Sequence, residues 1–368
     1  MSTRKDKFSK KDKKYMSLAL TLASARHGLT GENPSVGCVI VKNDEIISIG
    51  QTSYSGRPHA EYNAIKNSNE FLENSTMYVT LEPCNHYGKT PPCTKEIIKN
   101  KISKIIYSVE DIDKKVKGKS FKILKSKNII VKKGLLNKEI NDFYKPYFFN
   151  RKNKIPYVTG KIAVSKNNLI YSKGTKRITD IHSDKLTHFL RYKNDSLMIS
   201  YKTLNEDNPK LNCRIHGLFK FSPKRIVLDS NLEMNTDSYI FKTANKNNTI
   251  IFYTKANGAK ILKFKKKGIQ LIKSSLLKNG NFDIIVIFKK LYSLGCRNLL
   301  VEGGNDLSKS IIKKKLFNQF YLFKGSKSLS KLVAYKDFNF FKELSQKYKN
   351  KNIINTQLGK DLITLYKK

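Results

Sequence analysis

Four residues in the first third of the chain have the types and the spacing of a hydrolytic zinc site: His59, Glu61, Cys84 and Cys93. A catalytic zinc ion takes three protein ligands and leaves one position to water, whose pKa falls to about 7. One imidazole and two thiolates complete that ligand set, and one carboxylate remains for proton transfer. We therefore predict that His59, Cys84 and Cys93 bind zinc and that Glu61 transfers protons. The alternative is a surface histidine, a helix-facing glutamate and two unrelated buried thiols, and the joint spacing of the four residues disfavours it.

The elements around these residues are suited to positioning them. The sequence predicts a helix that starts at His59, a buried strand over residues 76–81 and a helix over residues 95–99. Cys84 then lies at a strand end and Cys93 at a helix start, where the pKa of a thiol is lowered. The positive end of the first helix favours the ionised form of Glu61.

The same ligand set is used by zinc deaminases of nucleobases, in which a glutamate two residues after the histidine moves protons. Cytidine and tRNA-adenosine deaminases typically have only two residues between their cysteines. Here eight residues, 85–92, separate Cys84 from Cys93. This spacing disfavours a tRNA base deaminase, which stays the more remote alternative.

Two segments of the first half resemble one particular family. The motif PCNHYGKTPPC (residues 83–93) and the motif NPSVGCVIV (residues 33–41) are similar to those of the bifunctional riboflavin-biosynthesis family. In that family a diaminohydroxyphosphoribosylaminopyrimidine deaminase is fused to a 5-amino-6-(5-phosphoribosylamino)uracil reductase. The resemblance implies a cytidine-deaminase-like α/β/α sandwich, with Asn33 beside the base pocket. His86 either contacts the substrate or braces its loop.

Four motifs of the second half resemble the family's reductase domain in the right order. They are KIAVS (161–165), TLNEDNPKL (203–211) followed by Arg214, IVLDS (226–230) and VEGG (301–304). The resemblance implies a dihydrofolate-reductase-like α/β domain, and the absence of a G-x-G-x-x-G motif agrees with it. The residues also make physical sense alone, because an apolar strand (298–301), a glycine turn and a helix that is capped at its start and runs from Asp306 offer free backbone N–H groups to a phosphate. The alternative is that Gly303-Gly304 is only a turn.

By resemblance, particular side chains of this second domain bind the two molecules that react there. Guanidinium groups recognise phosphate through two parallel hydrogen bonds, which suits the arginines for a phosphoribosyl substrate. The residues implied for NADPH are Val164, Arg177, Thr203, Asp207, Ser230 and Gly304. The residues implied for the substrate are Thr175, Arg191, Leu211, Arg214 and Glu302.

The reductase half also departs from the family pattern. Asn167 and Asn168 stand where the family usually has Asp-Gly, and Arg177 stands where it usually has tryptophan. Loss of an aromatic side chain near the nicotinamide pocket weakens stacking. An active deaminase with a weakened or inactive reductase domain therefore stays the main alternative.

The formal net charge of +43 suggests a nucleic-acid partner at first sight. However, the basic residues are 63 lysines and only 9 arginines, spread along the whole chain. Nucleic-acid recognition favours clustered arginine, so we predict no nucleic-acid partner and instead an attraction for phosphorylated small molecules. The N-terminus has no apolar segment, which predicts a cytoplasmic protein without a membrane anchor.

With 368 residues, the chain is expected to form two domains. We predict a deaminase domain at 1–149, a linker at 150–154 and a reductase domain at 155–368. In the first domain, a helix (12–26) and a hairpin (37–50) that turns at Asn43-Asp44 precede alternating helices and strands and a last helix (138–149). Cys38, Cys213 and Cys296 are predicted to be buried thiols. The sequence does not decide between a monomer and a homo-oligomer.

Overall fold

The computed structural model describes residues 8–88, 90–172, 177–332, 334–354 and 359–368. The chain divides into two compact units, Met1–Lys154 and Ile155–Lys368. None of the helices in these described ranges has the length and apolar character needed to cross a lipid bilayer.

Unit 1 is built on a five-stranded sheet of order β2-β1-β3-β4-β5. Its strands are β1 (Gly37–Lys42), β2 (Glu45–Gln51), β3 (Thr76–Leu81), β4 (Lys104–Val109) and β5 (Ile130–Lys133). Strands β3, β4 and β5 are parallel, whereas β1 pairs antiparallel with β2 and β3. Asn43 and Asp44, both with positive φ, make the predicted hairpin turn.

Among the described residues of unit 1, five α-helices accompany this sheet, and the predicted order of elements is confirmed. They are α1 (Lys10–Ala25), α2 (Ala60–Lys66), α3 (Cys93–Lys99), α4 (Lys119–Lys125) and α5 (Asn137–Asn153). The predicted linker at 150–154 is instead the last turn and the C-cap of α5. Lysine and arginine at a helix C-terminus interact favourably with the helix dipole, so a polar run can continue a helix rather than end it.

Unit 2 contains a nine-stranded sheet of order β11-β10-β9-β8-β12-β6-β13-β16-β15 and a separate pair of strands, β14-β7. The strands are β6 (Tyr157–Val164), β7 (Leu169–Ser172), β8 (Ser196–Ser200), β9 (Lys224–Leu228), β10 (Thr249–Tyr253), β11 (Gln270–Lys273), β12 (Asn298–Val301), β13 (Gln319–Lys324), β14 (Tyr335–Asp337), β15 (Asn350–Ile354) and β16 (Leu362–Lys367). The large sheet is parallel from β11 to β13, and β16 and β15 complete it with antiparallel pairing.

Both faces of the large sheet are buried. Met198 and Ile226 belong to one apolar cluster, whereas their neighbours Leu197 and Val227 belong to another. This alternation is that of a sheet covered by helices on both sides. The helices are α6 (Ile181–Lys193), α7 (Tyr201–Asp207), α8 (Tyr239–Lys242), α9 (Gly258–Lys266), α10 (Ile284–Ser293), α11 (Asn305–Lys313) and α12 (Phe341–Lys347).

Candidate functional site

The zinc-type residues of unit 1 come together in space. The Nδ1 atom of His59 lies 3.5 Å from the Sγ atoms of both Cys84 and Cys93. The three ligand atoms all lie within 4.8 Å of one another. With Zn–S and Zn–N bonds of about 2.3 and about 2.0 Å at a tetrahedral angle, nitrogen and sulfur ligands lie about 3.5 Å apart. The donor set and its spacing therefore fit a zinc ion.

Three elements position these ligands. His59 is the N-cap of α2, Cys93 is the first residue of α3, and Cys84 follows the end of β3. The backbone N–H of Cys93 donates to Cys84 Sγ at 3.3 Å. A hydrogen bond between the two thiols lowers the pKa of Cys84 and raises that of Cys93. The lowered pKa predicted for Cys93 from its place at a helix start is therefore wrong, because the shared hydrogen bond and burial outweigh the effect of the helix. A thiol that readily becomes a thiolate is suited to binding a metal.

Close packing of α2 against β2 fixes the first of these elements. Ala60 and Ala64 are fully buried, as their small side chains suggest. A Cβ atom on Gly50 would lie 2.2 Å from the Ala60 carbonyl oxygen and 2.4 Å from the Ala64 nitrogen. Only glycine at position 50 lets the strand approach the helix backbone this closely.

Glu61 lies in the first turn of α2 and is 3% exposed. Burial raises the pKa of Glu61 to about 7, although the charge of His59 opposes the shift. A carboxyl group with a pKa near neutrality can both accept and return a proton. Its position two residues after His59 places a proton carrier beside the ligand cluster.

The loop between the cysteines joins two of the ligand residues. The loop before β1 is hydrogen-bonded to the segment that precedes the third ligand, His59. Asn33 donates its amide N–H to the Gly56 carbonyl oxygen at 3.1 Å, which ties it to the segment that precedes His59. Within the described residues, Asn85 Oδ1 and His86 Nδ1 are buried atoms without a hydrogen-bond partner. Buried polar atoms usually have partners, so these two are candidates for ligand contact.

Unit 2 contains a cleft of about 810 Å³. Five residues singled out in the sequence lie along it: Thr203, Asp207, Ser230, Glu302 and Gly304. They come from α7, from the segments after β9 and β12, and from the start of α11. The glycine turn therefore lies in the same cleft as the residues implied for the cofactor.

The glycine turn brings two helix starts close together. Gly304 is the N-cap of α11, which begins at Asn305 rather than at the predicted Asp306. No side chain caps this helix, contrary to the prediction, because glycine occupies the cap position. A Cβ atom on Gly304 would lie 3.1 Å from Thr203 Oγ1. Backbone N–H groups at such a turn form a cradle for a phosphate, which fits NADPH.

Arg191 and Glu302 form an ion pair in which both partners are largely buried. Arg191 Nη1 also donates to the carbonyl oxygen of Asn212 at 3.1 Å. Arg214 is exposed, and its Nη1 donates to Asn212 Oδ1 at 3.1 Å. His188 is buried beside them, with Nδ1 3.3 Å from the backbone nitrogen of Arg214.

Sequence reasoning missed Lys161 as a site residue. It lines the cleft on β6, and burial lowers its pKa while the Glu302 carboxylate opposes the shift. The lysine belongs to the motif KIAVS, but lysine is so common in this chain that its type carried no signal.

Other residues singled out in the sequence do not line this cleft. Val164 is fully buried in β6, and Leu211 is 1% exposed with φ 52°. Arg177 is exposed and pairs with Asp184 at 2.8 Å. Arg191 and Arg214 are also absent from the cleft wall. Thr175 lies outside the described residues.

Comparisons with protein families match both units. Residues 9–109 match the cytidine and deoxycytidylate deaminase zinc-binding region, and residues 156–331 match the RibD C-terminal domain. Riboflavin biosynthesis protein RibD of Aquifex aeolicus is 33% identical over 360 residues, which cover 97% of this chain and 98% of the relative. RibD of Actinobacillus pleuropneumoniae is 34% identical over 315 residues, which cover 85% and 83%.

Solved structures match over almost the whole chain. Acinetobacter baumannii RibD superposes with a TM-score of 0.83 at 25% identity, covering 97% of this chain and 99% of the other. A diaminohydroxyphosphoribosylaminopyrimidine deaminase/5-amino-6-(5-phosphoribosylamino)uracil reductase from Thermotoga maritima gives a TM-score of 0.80 at 25% identity, covering 97% and 98%. The predicted combination of a cytidine-deaminase-like and a dihydrofolate-reductase-like domain is confirmed.

Proposed function

Because the chain belongs to the RibD family of riboflavin-biosynthesis proteins, we propose that each compact unit carries one of the family's two reactions on the residues described above. The protein is a zinc-dependent deaminase and an NADPH-dependent reductase of riboflavin biosynthesis. Its substrate is the diaminohydroxyphosphoribosylaminopyrimidine, which is deaminated before its ribosyl group is reduced to the ribityl group.

In unit 1, His59, Cys84 and Cys93 hold the zinc ion and Glu61 moves the protons. When bound, zinc supplies the Lewis acidity that activates water for attack on the amine-bearing ring carbon. A Glu61 carboxylate oxygen takes a proton from the attacking water and returns it to the leaving amine nitrogen. The observation that supports this assignment best is the cluster of three ligand atoms within 4.8 Å, with the buried Glu61 two residues from its histidine.

In unit 2, Thr203, Asp207, Ser230 and Gly304 bind along NADPH, which supplies the hydride. Their common position along one cleft supports this role. The substrate binds beside Glu302 and Lys161, which line the same cleft. Arg191, Arg214 and Leu211 do not line it, and their contact with the substrate rests on the resemblance alone. By resemblance, Val164 and Arg177 also contact NADPH and Thr175 contacts the substrate.

The high positive charge attracts the phosphorylated substrate and cofactor rather than a nucleic acid. We propose that the protein is cytoplasmic and that it is either a monomer or a homo-oligomer. A gel-shift titration with tRNA at physiological salt tests whether the positive charge attracts a nucleic acid. Tight, salt-sensitive tRNA binding would favour the base-editing alternative.

Glu61→Gln tests the assignment of unit 1. The variant keeps its zinc, loses deamination by several orders of magnitude, and reduces the previously deaminated substrate at the wild-type rate. Near-normal deamination in this variant would contradict proton transfer by Glu61. Loss of zinc would show that Glu61 stabilises the zinc site instead.

A further inference from the structure

Two cationic side chains from different elements contact the described part of the loop between Cys84 and Cys93, residues 85–88 and 90–92. Arg57, two residues before His59, donates from Nη1 to Thr90 Oγ1 at 2.6 Å. Lys95, in α3, donates to the hydroxyl group of Tyr87, and its Nζ atom lies 4.9 Å from the centroid of the Tyr87 ring. The loop between the zinc cysteines is thus attached to the segment before α2 and to α3.

The Arg57 guanidinium also lies against the loop backbone. A Cβ atom on Gly88 would lie 3.0 Å from Arg57 Nη2, so a side chain at position 88 would crowd the guanidinium. The N–H of Gly88 donates to the carbonyl oxygen of Thr90 at 3.2 Å, which closes the tip of the loop. Arg57 therefore contacts both ends of this turn.

The same loop carries two of the buried polar atoms that have no partner among the described residues, Asn85 Oδ1 and His86 Nδ1. A buried donor or acceptor that is left unpaired destabilises the conformation that buries it. A loop that is free to move would relieve this destabilisation by turning these groups to solvent. The contacts of Arg57 and Lys95 oppose that movement.

We propose that Arg57 is a positioning residue for substrate recognition in unit 1. Its guanidinium clamps the tip of the loop through Gly88 and Thr90, which keeps Asn85 and His86 in place for the polar groups of the pyrimidine substrate. This inference rests on the deaminase site proposed above. The residues that bind zinc and transfer protons are positioned by α2, β3 and α3.

A clamp of this kind acts by preorganisation. Without it, the loop must be ordered when the substrate binds, and that cost is subtracted from the binding free energy. Because the zinc ligands and Glu61 keep their places, the chemical step is little affected. The signature of the clamp is therefore a raised KM with a nearly unchanged kcat.

The test measures deamination kinetics without NADPH for the wild type, Arg57→Met, Arg57→Lys, Thr90→Val and the Arg57→Met/Thr90→Val double variant. A hydrogen bond to a charged group contributes about 1.5–3 kcal/mol, so KM rises about tenfold or more in Arg57→Met with kcat within about twofold. Thr90→Val also raises KM. The KM of the double variant is no higher than that of Arg57→Met alone, because both changes remove the same hydrogen bond between Arg57 and Thr90. Arg57→Lys, which keeps the charge but lacks the planar fork, does not restore the wild-type KM.

Zinc content and the reductase rate on previously deaminated substrate are the controls, and both stay at the wild-type level. The clamp is contradicted by an unchanged KM in Arg57→Met, by additive effects in the double variant, by full restoration in Arg57→Lys, or by joint loss of zinc and kcat. A wild-type protein that does not deaminate the substrate contradicts the proposed deaminase site itself, so the two failures are distinguishable.

Discussion

Arg191 and Glu302 join helix α6 to the turn after β12 through two parallel hydrogen bonds, Nε–Oε1 and Nη2–Oε2, each 2.7 Å long. Burial alone would raise the pKa of Glu302, but Arg191 lowers it below its ordinary value. The guanidinium group of Arg191 thus uses the N–H groups of Nε and Nη2 on a partner within the protein. It holds Glu302 in position beside the cleft.

Glu302→Gln leaves the buried Arg191 guanidinium without its carboxylate. Removing one partner of a buried ion pair costs about 3–5 kcal/mol, so we expect a lower urea midpoint for unit 2 and a strong loss of reductase activity. Deamination, measured without NADPH in the same preparation, stays at the wild-type level. Unchanged stability together with unchanged reduction would contradict the structural role of this pair.

His188 makes the stability of unit 2 dependent on pH. Burial, with Arg191 and Arg214 nearby, lowers the pKa of His188 to about 4, whereas an unfolded histidine has a pKa of about 6.5. Below pH 6.5 the unfolded chain therefore binds a proton that the folded protein does not, so stability falls as the pH falls towards about 4 and is unaffected above pH 6.5. We expect the urea midpoint to drop more between pH 7 and pH 5 in the wild type than in His188→Gln. An equal drop in both proteins would show that His188 is not the group responsible.

Gly50→Ala tests how α2 is held. The new Cβ atom would overlap the backbone of Ala60 and Ala64, and overpacking of this kind costs about 1–3 kcal/mol. We expect lower zinc content, weaker deamination and a lower melting temperature for unit 1, with the reductase activity retained. Gly258→Ala is the matched control, because no atom lies within 4 Å of the Cβ that it adds. Wild-type zinc content in Gly50→Ala would mean that the contact of β2 with α2 does not position His59.

The sequence predicted the deaminase half in more detail than the reductase half. In unit 1, the strand at 76–81 coincides with β3, and the ligand residues lie close together in the chain. In unit 2, Arg191 and Glu302 are separated by 111 positions, and no local pattern indicates that they pair. The same holds for the strand order of the nine-stranded sheet, which depends on packing across the whole unit. The end of α5 was missed because a polar, lysine-rich run is compatible with both a helix terminus and a linker.

One experiment tests whether both units are active. The zinc-loaded protein is incubated with the diaminohydroxyphosphoribosylaminopyrimidine substrate, with and without NADPH, and the masses of the products are measured. We expect a deaminated, unreduced product without NADPH and a deaminated product with a ribityl side chain when NADPH is present. Deamination without reduction in both samples would contradict an active reductase in unit 2. An unchanged substrate in both samples would contradict the zinc site of unit 1.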